Sequence, residues 1–297
     1  NTDGSLDTTF NSSGLTPGVQ ITPLGTYSEA NSIALQSDGK IVVAGDDNVG
    51  GVIKFLVARY NTDGLLDTTF NSLGAVPGIS DTTIGTLSFA SGMTIQFDGK
   101  IVAAGRATIA GVSQMAVVRY NTDGTLDTSF NASGIATLGV ASFATSVLIQ
   151  SDGKIVLGGR ITVGSNFEIA LVRYNTNGIL DSTFGNNGVV ITPVVFSSGF
   201  HANEFDSIAV QSDGEIVAVG LLFTGGRGSI LLARYNSSGQ LDTTFNPLGA
   251  MPGLVNTVLG SSNSGYGIVI QSDGKIVISG SINSGQNLFL VARYLAN

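Results

Sequence analysis

The 297 residues include 13 Lys+Arg, 21 Asp+Glu, one His and no Cys, for a formal charge of −8. Zero Cys excludes a disulfide framework, thiolate zinc, iron–sulfur clusters and cysteine catalysis, and a lone His excludes a His-rich metal site. The acidic balance argues against nucleic acid as partner; 42% apolar residues exclude disorder, and without a run of 18 apolar residues no membrane insertion is expected.

The chain opens in mid-motif at Asn1, as expected of a piece of something longer. The opening phrase NTDGSLDTTFN returns as NTDGLLDTTFN from Asn61, NTDGTLDTSFN from Asn121, NTNGILDSTFG from Asn175 and NSSGQLDTTFN from Asn236. The spacings are 60, 60, 54 and 61 residues. In step with it run LQSDGKIVVAG, IQFDGKIVAAG, IQSDGKIVLGG, VQSDGEIVAVG and IQSDGKIVISG, and a third phrase of the type FLVARY closes each repeat. The repeats are 1–60, 61–120, 121–174, 175–235 and 236–297, read as one domain over 1–297.

In chain order, each repeat predicts strands. Strand a covers Ile33 to Gln36, b Lys40 to Gly45, c Phe55 to Tyr60 and d Leu65 to Phe70. Asp38-Gly39 and Asp63-Gly64 predict two-residue primed hairpins. Strands a to c are almost continuously apolar, so both faces should be buried. Four antiparallel strands per repeat, stacked sheet on sheet, predict an all-β, five-bladed β-propeller. The alternative is a β-solenoid, whose coils are usually shorter and lack two hairpins each. The chain starts with a d strand and ends with a c strand, so the first d strand is expected to close the last blade and remove exposed edges.

The alternating phrases QSDGKIVVAG and ARYNTDGSLDTTF resemble the delta-60 repeat, a bacterial β-propeller repeat of uncharacterised function. Asn177 and Ser238 depart from the turn Asp, and Glu215 from the Lys of DGK. The resemblance implies a secreted or surface-associated bacterial protein and carries no catalytic residues to transfer.

Most repeated charges read as scaffold. Arg59, Arg119, Arg173, Arg234 and Arg293 precede a Tyr, and Asp7, Asp67, Asp127, Asp181 and Asp242 follow a Leu. Across one hairpin they should form structural ion pairs, Arg being the better partner for a partly buried carboxylate. The alternative is a set of ion sites. The turn residues Asp38, Asp98, Asp152, Asp213 and Asp273 fit turn chemistry better than calcium ligation, which needs several oxygens in one short segment. No metal and no cofactor are expected.

Function should lie where the chain departs from its repeat. In a four-strand meander the a–b and c–d turns share one face, and the b–c and d–a connections share the other. The non-repeat charges fall in the second set: Glu29, Asp46, Asp47, Lys54, Asp81, Arg106, Arg160, Glu168, Glu204, Asp206 and Arg227. Loops on a rigid scaffold are the usual carriers of binding residues. The candidate ligand-binding residues are Glu29, Phe89, Phe143, Glu204 and Ser264, one register position preceding each strand a, with Tyr27, His201, Phe205, Asp206 and Tyr266 around them. The expected role is a non-enzymatic binding or scaffold module, a monomeric domain of a longer chain contacting protein or glycan. A glycosidase with carboxylates at the ends of the a strands is the enzyme alternative, and a purely structural spacer the third.

Overall fold

The computed structural model describes residues 1–194 and 202–295. The chain forms two compact units, Asn1–Thr137 and Leu138–Asn297. In the first, β1 (Ser28–Leu35), β2 (Ile41–Val49), β3 (Val52–Tyr60) and β4 (Ile79–Thr82) make one antiparallel meander. A second follows with β5 (Leu87–Ile95), β6 (Ile101–Ile109), β7 (Val112–Tyr120) and β8 (Ile135–Thr137). One parallel residue pair, Ile53–Leu87, joins the two.

The second unit repeats the pattern. β9 (Ser142–Ile149), β10 (Ile155–Val163), β11 (Asn166–Tyr174) and β12 (Val189–Thr192) form one meander. β13 (Ala202–Val210), β14 (Ile216–Thr224), β15 (Arg227–Tyr235) and β16 (Leu254–Thr257) form the next. The last sheet holds β17 (Ser262–Ile270), β18 (Ile276–Asn283) and β19 (Asn287–Tyr294). These repeated meanders are the blades of a β-propeller.

Apolar side chains fill the space between neighbouring blades. Val42, Phe55, Val57, Phe70, Ile101, Val118 and Tyr120 form one cluster. Leu148, Ile169, Phe184, Phe205, Ile216, Leu231 and Tyr235 form another, and Val217, Val219, Ile230, Leu232, Ile276 and Ile278 a third. Each fully buried chain of this size contributes about 1.5–3 kcal/mol.

Three details differ from the sequence expectation. First, residues 65–70 form no strand beyond a single bridge, Tyr60–Leu66. Asp67 Oδ1 accepts from the Thr69 backbone at 3.0 Å and the Thr69 hydroxyl at 2.6 Å, and Phe70 N–H donates to Asp67 O at 2.9 Å. This local side-chain bonding competes with a ladder and bends the segment into a turn. The fourth strand comes later, after a Gly with positive φ (Gly78, +97°). Second, the Asp-Gly turns are not primed two-residue turns, because only the Gly has positive φ (Gly39 +83°). Gly39 N–H closes on Gln36 O at 2.9 Å and Asp38 Oδ1 accepts from Lys40 N–H at 3.1 Å, a type I turn followed by a left-handed Gly. Third, residues 1–10 form turns and no strand. It is Val19–Thr22 that holds the repeat position of β4, and Thr22 Oγ1 meets the Tyr60 hydroxyl at 2.8 Å as Thr82 meets Tyr120 at 2.7 Å. Among the described residues no strand pairs with β19 on the side away from β18.

The turn segment does have a job in packing. Phe70 lies against Gly124 of the next blade's turn, where a Cβ would fall 2.9 Å from the ring. Asn71 N–H donates to Asp123 O at 2.5 Å in that same turn. Phe10 meets Gly64 in the same way, and Phe184 meets Gly239. The repeated phrase is therefore a clamp reaching forward onto the next repeat.

Candidate functional site

A β-bulge sits in the first strand of every blade. The register shifts between Ala30 and Ser32, Ala90 and Gly92, Ala144 and Ser146, Phe205 and Ser207, and Gly265 and Gly267. The extra residues are Asn31, Ser91, Thr145, Asp206 and Tyr266. The bulge presses the carbonyls of Glu29, Phe89, Phe143, Glu204 and Ser264 onto Gly45, Gly105, Gly159, Gly220 and Gly280, where any Cβ would overlap the oxygen. That contact explains the Gly closing each KIVVAG-type phrase.

Glu29 and its four counterparts thus lie inside the first strands, not before them. Asp46, Asp47, Lys54, Arg106, Arg160, Glu168 and Arg227 lie on strands too, because the second and third strands run on to a two-residue hairpin such as Gly50-Gly51. These residues still gather at the end of the blade away from the Asp-Gly turns. The long connections are at the other end: 61–78 and 236–253, with the shorter 121–134 and 175–188. Much of the shortening of the third repeat falls in 121–134, where the third and fourth strands are joined by a shorter segment than 61–78.

The ladder partners at the end away from the Asp-Gly turns are of four kinds, Phe–Arg occurring twice. Glu29 faces Asp46, Phe89 faces Arg106, Phe143 faces Arg160, Glu204 faces Leu221 and Ser264 faces Ser281. In the first unit, exposed Tyr27 donates to Glu29 Oε2 at 2.6 Å. This bond to a carboxylate raises the Tyr27 pKa. Asp46 is buried, accepts from Asn31 Nδ2 at 3.2 Å on Oδ1 and has no hydrogen-bond partner on Oδ2. Burial, reinforced by the Glu29 charge, raises its pKa against the pull of Asn31 and Arg106. Asn31 also donates to Ala90 O of the next blade at 3.0 Å. The Arg106 guanidinium stacks 4.3 Å from the Phe89 ring centre.

In the second unit Arg160 lies between two rings, 4.5 Å from Phe143 and 4.5 Å from Phe167, and donates to Glu204 Oε2 at 2.7 Å. Asp206 is pushed up to about 7, by burial first and then by the Glu204 charge, with Arg160 opposing. Phe205 is fully buried and meets Tyr235 edge-on at 6.1 Å, so it belongs to the core and not to a binding surface. Tyr266 is 54% exposed, its hydroxyl 3.0 Å from Ser281 Oγ. His201 lies outside the described residues.

The repeated charges form clusters at the Asp-Gly end. Arg59 Nε and Lys40 Nζ each meet Asp67 Oδ2 at 2.7 Å. Arg119 and Lys100 meet Asp127 at 2.7 and 3.0 Å, and Arg173 and Lys154 meet Asp181 at 2.8 and 3.2 Å. In the fourth repeat Arg234 bridges Asp242 at 2.5 Å and Glu215 at 2.8 Å. Each of these Arg also lies over the Phe eleven residues further along the chain, at 4.2 to 4.8 Å. Arg59 Nη1 further donates to Thr122 O, and Arg173 Nη1 to Ser237 O, both at 2.6 Å, tying each blade to the next one's turn. Asp7 is exposed and bonded to Thr9 at 2.6 Å, while Arg293 lies on β19 opposite Val277. Among the described residues no group of three or more His, Asp or Glu is placed to hold a metal ion.

The blade topology and repeated turns define a β-propeller. The family described as "Domain of unknown function (DUF5122) beta-propeller" matches residues 36–70, 96–130, 150–184, 211–245 and 271–297. The chain belongs to that family. No curated protein matches it. Among solved structures, a protein of unknown function from Dyadobacter fermentans aligns at TM-score 0.50 and 12% identity over 87% of this chain and 77% of its own. That likeness shows the fold alone. An endo-arabinase from Bacteroides thetaiotaomicron aligns at TM-score 0.44 and 14% identity, over 93% of this chain and 97% of its own.

Proposed function

We propose a non-enzymatic binding or scaffold module, part of a secreted or surface-associated bacterial protein, that contacts protein or glycan through the end of the blades carrying the second-to-third strand hairpins. One observation carries this reading: the five ladder pairs at that end fall into four chemistries, with Phe–Arg used twice, while the rest of the blade repeats. Residues that serve the blade recur in every blade, so residues that differ are available for recognition. Tyr27 and Tyr266 add exposed amphipathic rings at the same end, 53% and 54% exposed. A glycan array probed with the wild type and with a Tyr27→Ala/Tyr266→Ala variant tests it. The expected result is a signal that the variant loses; no signal, or an equal one, overturns the glycan form of the reading.

A second reading, glycoside hydrolysis, is favoured by Asp206. Its carboxyl is held near 7 while Glu204, two residues away, is ion-paired with Arg160. A carboxyl that keeps its proton near neutral pH is suited to the general-acid role. Turnover of aryl glycosides that Asp206→Asn abolishes would support it, and absence of turnover would remove it.

A further inference from the structure

The last blade lacks a cover on its forward face. Phe289 and Val291 of β19 are 103% and 74% exposed. Their repeat counterparts Phe55 and Val57, Ile169 and Leu171, and Ile230 and Leu232 are fully buried against the blade that follows. The outer edge of β19 is also open, since among the described residues no strand pairs there.

The first blade has the opposite deficit. Ile33 is 69% exposed, whereas its counterparts Met93 and Ile208 are buried against the blade before them. Ahead of it, residues 7–22 already hold the arrangement of an internal connection. Phe10 N–H donates to Asp7 O at 3.0 Å, and Phe10 lies against Gly64. Asn11 N–H donates to Asp63 O at 2.6 Å, and Thr22 meets Tyr60. What the segment lacks is the strand that its Val19–Thr22 would pair with. We infer that the open face and edge of β19 bind the N-terminal segment and first blade of a second copy of this chain, in place of the expected monomer.

The internal ladders set the register. Phe55 pairs with Thr82 and Ala58 with Ile79, and Ile230 pairs with Thr257 and Ala233 with Leu254. The corresponding pairs are Phe289 with Thr22 of the second copy and Ala292 with its Val19. Adding a strand in this way satisfies the open backbone edge. Ile33 of the second copy then joins Phe289 and Val291, as Met93 joins Phe55 and Val57.

Charge names the occupant. Arg59, Arg119, Arg173 and Arg234 pair with Asp67, Asp127, Asp181 and Asp242, each eight residues further on. Among the described residues Arg293 has no carboxylate partner and Asp7 has no Arg, and both are exposed. Lys275, the counterpart of Lys40, meets Asp273 instead of a repeat Asp. The two halves of the recurring cluster are thus both present and unmatched. A second copy brings Asp7 to Arg293 and Lys275. Because the two faces differ, the contact is head-to-tail and extends into a ring or a filament.

The test is analytical ultracentrifugation of the full chain over a concentration series, with Asp7→Arg and Arg293→Glu variants. The wild type should associate as concentration rises. Each variant alone sets like charges against each other and should need at least about tenfold more protein to associate. An equimolar mixture of the two restores opposite charges between unlike chains and should associate like the wild type. Both positions are exposed within one chain, so at high dilution each variant should melt with the wild type. A wild type that stays monomeric, whether by closure within one chain or for want of any contact, overturns the inference. So does association that both variants retain or that mixing fails to restore. A variant that melts lower at high dilution would place the pair inside one chain, with the same consequence.

Discussion

Arg119 Nε stands 2.7 Å from Asp127 Oδ2, and the two side chains are each 6% exposed. The same guanidinium lies 4.7 Å from the Phe130 ring centre. One side chain thus ties a strand to the turn that follows it.

Arg119→Ala should cost about 3–5 kcal/mol, the loss expected when one member of a buried pair is orphaned. Arg106→Ala removes a stacking contact with Phe89 at a partly exposed position and should cost less, about 0.5–1 kcal/mol. Denaturant melts of the two variants check the difference; equal losses would contradict it.

The acid limb of stability should come from the same clusters. Burial alone would raise Asp67, Asp127 and Asp181, but hydrogen bonds from a neighbouring Ser or Thr and from Lys, with the Arg charge, hold all three well below the usual range. Depressed carboxyls contribute stability above their unfolded pKa, about 3.9, which is lost as pH falls through the folded values. Melting temperatures should therefore drop steeply below about pH 4, and less steeply in Asp67→Asn, whose baseline starts lower.

Gly105→Ala should be among the most damaging single changes, about 4 kcal/mol or more, because its Cβ would overlap the Phe89 carbonyl oxygen. Gly111→Ala, at φ +81° with nothing near the new Cβ, should cost only about 1–2 kcal/mol. Chemical denaturation of the pair tests whether the bulge or the hairpin makes the stricter demand.

Glu215→Lys should stabilise by about 0.5–1 kcal/mol. Burial and the neighbouring Asp242 charge raise the Glu215 pKa, with Arg234 opposing. A Lys there restores the cation that meets the repeat Asp elsewhere, as Lys40 does at Asp67. A lowered melting temperature would show that the Glu215–Arg234 bridge outweighs that gain.

Asp206 should give stability a second pH dependence of opposite sign. Its folded pKa, about 7, lies above the unfolded value, so the fold binds the proton more tightly and loses stability as pH rises from about 4 to 7. Asp206→Asn should therefore gain more over the wild type at pH 8 than at pH 5, as read from melts at both.

The blade was legible in the sequence because its strands are apolar runs between Asp-Gly turns, and residues such as Phe55 and Val57 went where that pattern puts them. The segment Leu65 to Phe70 was misread because Leu-Asp-Thr-Thr-Phe has strand-forming residues, while the decisive force is the Asp67 carboxylate bonding Thr69. The true fourth strand, Ile79–Thr82, is four residues long and gives little periodic signal. The bulges were illegible because a register shift depends on the partner strand; the Gly after each Val/Ile-rich b strand was their one trace.

The forward clamp also gives the chain a direction in time. Phe70 closes on Gly124, more than fifty residues later, so during synthesis each repeat's clamp has no seat until the next repeat's turn has left the ribosome. A nascent blade should therefore stay loosely held at its Asp-Gly end until its successor arrives. Duplicating one repeat within the array would hand each new copy both a clamp to extend and a glycine to receive one, so copy number can grow without inventing a new interface.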